Sequence, residues 1–221
     1  MGPRLSNLLY DALRPACFAA LTFGFSFRSE GGGNLPPTGP ALLIANHQSW
    51  WDPVLVGVAS PRRLCFLARK TLFVNPALVW LMRTLNASPV DQEGFAREGL
   101  RTVLGHFDAG RAVLIFPEGQ RTWDGKIGPL MPGVTLLIKK GQVPVVPVGI
   151  AGAFEAWPRW ARVPTPCPLF LPATRSALAV SVGRPVDGRR YADWPREAIL
   201  ADLAKELHDA WERAKRLQRK A

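Results

Sequence analysis

Ala41-Leu42-Leu43-Ile44-Ala45-Asn46-His47-Gln48-Ser49-Trp50-Trp51-Asp52-Pro53 is the stretch that decides how this chain folds. Its first five residues are apolar and follow Gly39-Pro40. A run this short and this apolar, opened by a turn signal, predicts a strand buried on both faces. Asp52-Pro53 predicts the start of a helix, with Asp52 as N-cap and Pro53 at the first helical position. The stretch thus sets an imidazole at the end of a central strand and a carboxylate at the mouth of the next helix. Open α/β sheets carry their chemistry at that place. His47 and Asp52 suit a general base and the group that orients it. The same spacing also suits a hydrogen-bonded structural histidine beside a capping aspartate, and spacing alone leaves both open.

Working outward, residues 64–68 predict a second strand, with Arg69 and Lys70 at its exit. Residues 71–85 read as a helix apolar on nearly all sides, either buried or in contact with lipid. Residues 94–109 read as an amphipathic helix closed by Gly110. Residues 112–116 form a third buried strand that runs into Pro117-Glu118-Gly119-Gln120-Arg121-Thr122. A carboxylate, a glycine turn and a guanidinium at a strand end suit the binding of a phosphate. They equally suit a hairpin-like loop with a surface arginine. Pro132-Gly133 opens a helix that runs through Lys140. Residues 143–150 form a fourth strand, and its prolines, Pro144 and Pro147, predict an irregular or edge position. Residues 157–175, rich in Pro, Arg and Trp, predict a loop covering the sheet or lying near a membrane. Residues 177–182 are a last strand, and a long helix follows from Trp194.

The fold class is therefore single-domain α/β: a mixed, largely parallel sheet flanked by helices, with N-terminal membrane-interface helices ahead of it. A length of 221 residues, 48% hydrophobic and 20% charged, allows one globular domain with a real core. Cys17, Cys65 and Cys167 are widely spaced, and the three histidines are not clustered. Neither a metal site nor a disulfide framework is expected, and a reducing compartment is favoured. The net charge of +11 calls for an anionic partner. Nucleic-acid motifs are absent. Eight tryptophans beside that charge suit an anionic membrane surface. Residues 1–30 read as an interfacial helical segment, or one packed on the core; their uncharged part, 15–27, is too short to span a bilayer. Residues 30–40 form a loop that separates this segment from the main domain, 40–221.

Four blocks together resemble the lysophospholipid acyltransferases of the 1-acyl-sn-glycerol-3-phosphate acyltransferase family. They are Asn46-His47-Gln48-Ser49-Trp50-Trp51-Asp52; Arg69-Lys70 with the apolar helix leading to Val90-Asp91; Phe116-Pro117-Glu118-Gly119-Gln120-Arg121-Thr122; and Val143-Pro144-Val145-Val146-Pro147-Val148. The resemblance covers residues 40–185 and makes 40–221 an acyltransferase domain. It implies transfer of a fatty acyl group from acyl-CoA or acyl carrier protein to a lysolipid hydroxyl, with no cofactor and no metal. The acceptor would be 1-acylglycerol-3-phosphate or a related lysolipid. His47 would be the general base and Asp52 its partner. Glu118, Gly119 and Arg121 would hold the acceptor headgroup, and Lys70 would lend positive charge. The fourth block would help wall the acyl tunnel, and Ser49 would not be a nucleophile. The resemblance also implies a peripheral or monotopic protein on the cytoplasmic face of a membrane. Two departures bear on the acceptor: Gln120 stands where the family has Thr, and Gln92 where it has an Arg that helps bind phosphate. Two other readings fit the residues less well: an acyl-thioester hydrolase using the same base, and a basic peripheral lipid-binding protein without catalysis.

Overall fold

The computed structural model describes residues 3–70, 75–84, 86–90 and 95–220. The elements in chain order are α1 (Pro3–Phe25), β1 (Arg28–Glu30), β2 (Ala41–Ala45), α2 (Asp52–Ala59), β3 (Leu64–Arg69), α3 (Pro76–Thr84) and β4 (Ala87–Val90). They continue as α4 (Phe95–Asp108), β5 (Ala112–Ile115), α5 (Gly133–Gly141), β6 (Val145–Ala151), α6 (Ala153–Ala156), β7 (Ala179–Val182) and α7 (Arg196–Leu217). The strands form one sheet in the order β1-β7-β6-β2-β5-β3-β4. Every neighbouring pair is parallel except β6–β7. The mixed, largely parallel sheet expected from the sequence is present.

Strand β2 is buried at all five positions and has β5 on one side and β6 on the other. Successive side chains of a strand point to opposite faces. Ala41, Leu43 and Ala45 therefore join Leu21 of α1 and Leu55 and Val56 of α2 in one core. Leu42 and Ile44 join Val103 and Phe107 of α4, Val134 and Ile138 of α5, and Ile199 and Leu203 of α7 in the other. A strand with both faces and both edges covered has no polar surface to show, and its sequence is accordingly apolar throughout.

Three expectations need correction. The strand expected to be irregular or at an edge is not at an edge: β6 lies inside the sheet and is buried along its whole length, and the irregularity is confined to its pairing with β7. Pro144 falls just outside it. Pro147 faces the margin of β7, where its carbonyl accepts from Gly183 N at 2.8 Å and the return bond is the one a proline cannot make. Val145 and Val186 bridge just beyond, so the partner carries one more residue there than β6 does. That bulge absorbs the missing donor. The apolar helix is not continuous over 71–85: Asn75 stands in a bend ahead of α3, Pro76–Thr84, and residues 71–74 and 85 lie outside the described residues. Residues 87–90, expected only as a connection, add a strand, β4, parallel to β3. Asp91 and Gln92 lie outside the described residues.

The N-terminal segment is one helix, α1, of 23 residues with Pro15 inside it. Tyr10 and Leu21 are buried against the domain, while Leu8, Phe18 and Phe23 are exposed. Residues 28–30 then pair with β7 at the sheet edge. Among the described residues, no helix is long and apolar enough to cross a membrane.

Helix α7 lies so close to β6 that a Cβ on Gly149 would stand 2.1 Å from the backbone oxygen of Ala210. Backbone on backbone cannot yield as a flexible side chain can. Gly149→Ala is expected to destabilise the fold by about 3 kcal/mol or more, since overpacking here forces two elements apart. Gly33→Ala, where a Cβ meets nothing within 4 Å, should change the unfolding midpoint little. Thermal or denaturant unfolding of the two variants beside the wild type checks this.

Candidate active site

Because β6, β2, β5 and β3 are parallel neighbours, their carboxyl ends share one edge of the sheet. Four loops leave that edge side by side. The loop after β2 carries His47, the loop after β5 carries residues 117–131, and Lys70 follows β3. The segment after β6 carries Trp157 and Arg159. Asn46 stitches the first of these to β6 beyond the last ladder pair: its Nδ2 donates to Ile150 O at 3.0 Å and its Oδ1 accepts from Ile150 N at 2.8 Å.

His47 Nδ1 lies 2.7 Å from Asp52 Oδ2. The same oxygen accepts from the backbone N–H groups of Gln48 at 2.5 Å and Ser49 at 2.7 Å. Asp52 is fully buried, and a buried carboxylate needs such donors to remain charged. Asp52 is thus not the N-cap: Trp51 holds that place and Asp52 is the first helical residue. Its carboxylate turns back to the loop before the helix instead of capping the helix itself. With Nδ1–H donated to Asp52, the neutral ring presents Nε2 as its basic nitrogen. The imidazole also stacks on Phe116, with ring centroids 4.0 Å apart and planes 15° apart. It has one partner in plane and one on its face, so its orientation is fixed before any substrate arrives.

The loop after β5 holds the backbone on both sides of that histidine. Glu118 Oε1 accepts from His47 N at 2.8 Å, and Thr122 N donates to His47 O at 2.8 Å. The other Glu118 oxygen accepts from Gly128 N at 2.7 Å. Glu118 is buried and turned into the loop. Burial pushes its carboxyl from an ordinary 4.5 up to about 7, against the pull of the two backbone donors. Gly119 sits at φ +72°, a left-handed turn position, and a Cβ there would stand 3.2 Å from Met131 Cγ. Arg121 carries its guanidinium 3.7 Å above the Trp50 ring.

His47, Asp52, Glu118, Gly119 and Arg121 therefore come together at one edge. Lys70 shares that edge but stands beyond β5, exposed, with its Nζ 3.4 Å from Glu98 Oε1. Ser49 Oγ donates to Trp157 O at 2.9 Å, which ties its hydroxyl to the segment after β6. That segment brings a residue the sequence did not single out. Arg159 Nη1 donates to Arg121 O at 3.1 Å, and its guanidinium lies 3.5 Å above the Trp123 ring. The available signal was Trp157-Pro158-Arg159-Trp160, a cation among aromatics just past a buried strand.

The two-pronged grip of Glu118 generates a prediction. Glu118→Gln has the same shape but only one acceptor oxygen for two N–H donors. It should cost about 1–3 kcal/mol in stability, the usual price of one unmet buried group. Below its raised pKa the folded protein keeps a proton on Glu118 that the unfolded chain releases near 4.5. The stability this proton linkage contributes is fully present below about 4.5 and is lost as pH rises through about 7. Unfolding of wild type and Glu118→Gln between pH 4 and 8 should therefore show the wild-type advantage shrinking toward the upper end. An advantage independent of pH would contradict the burial-raised carboxyl.

Residues 26–151 match a family model described as Acyltransferase. The chain is 26% identical over 188 residues to the 1-acyl-sn-glycerol-3-phosphate acyltransferase of Bacillus subtilis, an alignment covering 85% of each chain. It is 33% identical over 115 residues to the protein of the same name from Streptococcus pneumoniae; that alignment covers 50% of this chain but 41% of the relative's length. Among solved structures it is similar to the 1-acyl-sn-glycerophosphate (LPA) acyltransferase PlsC from Thermotoga maritima, with a TM-score of 0.80 at 24% identity, over 100% of this chain and 86% of that one. At that identity the likeness is one of fold.

Proposed function

This chain belongs to the acyltransferase family, and we propose that it transfers a fatty acyl group from an acyl thioester, acyl-CoA or acyl carrier protein, to the free hydroxyl of 1-acylglycerol-3-phosphate or a closely related lysolipid. The observation that carries this reading is the 2.7 Å contact between His47 Nδ1 and Asp52, which leaves Nε2 as the open base. In this mechanism Nε2 takes the acceptor's hydroxyl proton as the alkoxide oxygen attacks the thioester carbonyl. Asp52 stabilises the imidazolium that forms. The tetrahedral intermediate collapses, the carbon–sulfur bond breaks, and the imidazolium returns the proton to the departing thiolate. Ester and free thiol are the products, and the histidine is neutral again. No acyl-enzyme is required, and the Ser49 hydroxyl is engaged with Trp157 O.

The other site residues fall into roles that fit their surroundings. Arg121, stacked on Trp50, offers a guanidinium edge to the acceptor headgroup. Gly119 shapes the turn that presents it. Glu118 acts as the clamp that sets the His47 loop, since both its oxygens are taken by backbone donors. Lys70 adds positive potential at the edge, outside direct reach of the histidine loop. A hydrolase would use the same base with water, but the stacked arginine beside it suits an anionic acceptor.

The proposed partner surface is an anionic membrane, on its cytoplasmic face, met by residues 1–30 together with the loop after β6. Phe23 of α1 stacks on Phe170, with centroids 6.1 Å apart, and Phe170 is 83% exposed. The net charge of +11 supplies the attraction.

His47→Ala should lower turnover by about two to four orders of magnitude, the usual worth of a general base. Binding of the acyl donor should persist. Acyl transfer from labelled acyl-CoA and acyl carrier protein to 1-acylglycerol-3-phosphate measures it, and near-normal turnover in the variant would remove His47 from the role. Phe170→Ser should weaken binding to anionic vesicles by about tenfold, the worth of one withdrawn aromatic side chain. Raising salt should weaken the wild type further. Sedimentation with vesicles at two salt concentrations checks both.

A further inference from the structure

A phosphate monoester brings about two negative charges near neutral pH. Placing it beside a buried catalytic pair requires cations that meet it directly, because a desolvated charge must be paired. The loop after β5 supplies one guanidinium, Arg121. The second comes from a different part of the chain. Arg159 leaves the end of β6, the strand next to β2, and is bound by Nη1 to the carbonyl of Arg121 itself. Two residues earlier, Trp157 O receives the Ser49 hydroxyl from the histidine loop. Arg159 is therefore bracketed between the catalytic loop and the Arg121 loop.

The two arginines are held in the same way. Arg121 lies 3.7 Å above Trp50 and Arg159 lies 3.5 Å above Trp123. Both indoles are well exposed, at 49% and 63%. Stacked by its face and bonded through Nη1 to Arg121 O, the Arg159 guanidinium leaves Nε and Nη2, the pair of donors that binds phosphate bidentately, without a protein partner among the described residues. Among the described residues Arg159 makes no ion pair with a carboxylate. The acid of that loop, Asp124, turns Oδ1 to Thr122 Oγ1 and Lys126 N. Two like charges brought to one rim repel, and an anion placed between them relieves that repulsion.

We propose that Arg159 is a specificity-determining residue: with Arg121 it forms a two-armed clamp on the acceptor's phosphate. The proposal rests on the acyltransferase reading and names the part of the site that selects the acceptor. The Arg159 arm stands whatever residue 92 does.

The test is steady-state acyl transfer by the full chain to 1-acylglycerol-3-phosphate and, in parallel, to a monoacylglycerol of the same chain length. Wild type is compared with Arg159→Ala, Arg159→Lys and Arg121→Ala. Arg159→Ala should lose about ten- to a hundredfold more kcat/KM on the phosphate-bearing acceptor than on the monoacylglycerol, with the loss mainly in KM. Arg159→Lys should fall between, because it keeps the charge and loses the planar fork. If Arg159→Ala folds poorly, the lysine variant reads the same selectivity. Equal losses on both acceptors in the variants would make Arg159 a structural support and overturn the proposal. A second readout does not depend on turnover. Glycerol 3-phosphate should change the wild-type tryptophan fluorescence saturably and bind Arg159→Ala at least about tenfold more weakly. If the wild type transfers acyl groups only to water, the acyltransferase reading fails, and this titration still decides whether Arg159 holds phosphate. Equal glycerol 3-phosphate affinity in both proteins would overturn the clamp.

Discussion

One oxygen of Asp52 takes three donors: the ring Nδ1–H of His47 and the backbone N–H groups of Gln48 and Ser49. A carboxylate with no exposed surface is tolerated only when so compensated, and removing a partner leaves a buried charge unmet. This fixes the route of the chain between β2 and α2, because the loop must curl until its own N–H groups reach the start of the helix. It also fixes the tautomer of the histidine. The positive end of α2 lies where that charge sits and favours it further. The turn, the orientation of the imidazole and the entry to the helix are thus one arrangement.

That arrangement is gripped from the neighbouring strand. Parallel pairing of β2 with β5, Ala41 opposite Ala112, brings the two exit loops level. Glu118 and Thr122 then reach the N–H and the carbonyl of His47. The burial that raises the Glu118 carboxyl to about 7 is the cost of placing a clamp inside the loop. The outer surface of the same loop carries Arg121, which stacks on Trp50 of the His47 loop. One segment thus grips the His47 backbone on its inner side and carries a stacked guanidinium on its outer side.

On the other side of β2, β6 delivers a third layer. Its own burial needs α7 at backbone contact, which Gly149 permits. Past its end, Trp157 packs on Trp51, with centroids 5.1 Å apart, and Trp51 packs on Phe25 of α1. This aromatic chain links the His47 loop to the helix whose outer face carries the exposed phenylalanines. His47, Arg121, Arg159 and this aromatic chain therefore meet at one edge of the sheet.

Much of this was legible in the sequence, for local reasons. Five apolar residues opened by Gly39-Pro40 are too short a run for a helix and suit a strand buried on both faces, so β2 and the loop at its carboxyl end followed directly. The residues Glu118, Gly119 and Arg121 stood out because a carboxylate, a glycine and a guanidinium at a strand end are chemically conspicuous. What those side chains touch was not legible. Asp52 looked like a cap because Asp-Pro often is one; only the fold turned its carboxylate backwards. Glu118 looked like a headgroup ligand, and its partner proved to be a backbone N–H 71 residues away. Pro144 and Pro147 argued for an edge, yet Pro144 fell outside β6 and the donor missing at Pro147 fell where a bulge in the partner absorbed it. Arg159 lay in an irregular stretch whose position depends on β6 standing next to β2. Composition and local pattern determine which residues must be buried and where the chain turns. The order of strands, and so which distant groups share a hydrogen bond, is settled only when the whole sheet packs against its helices.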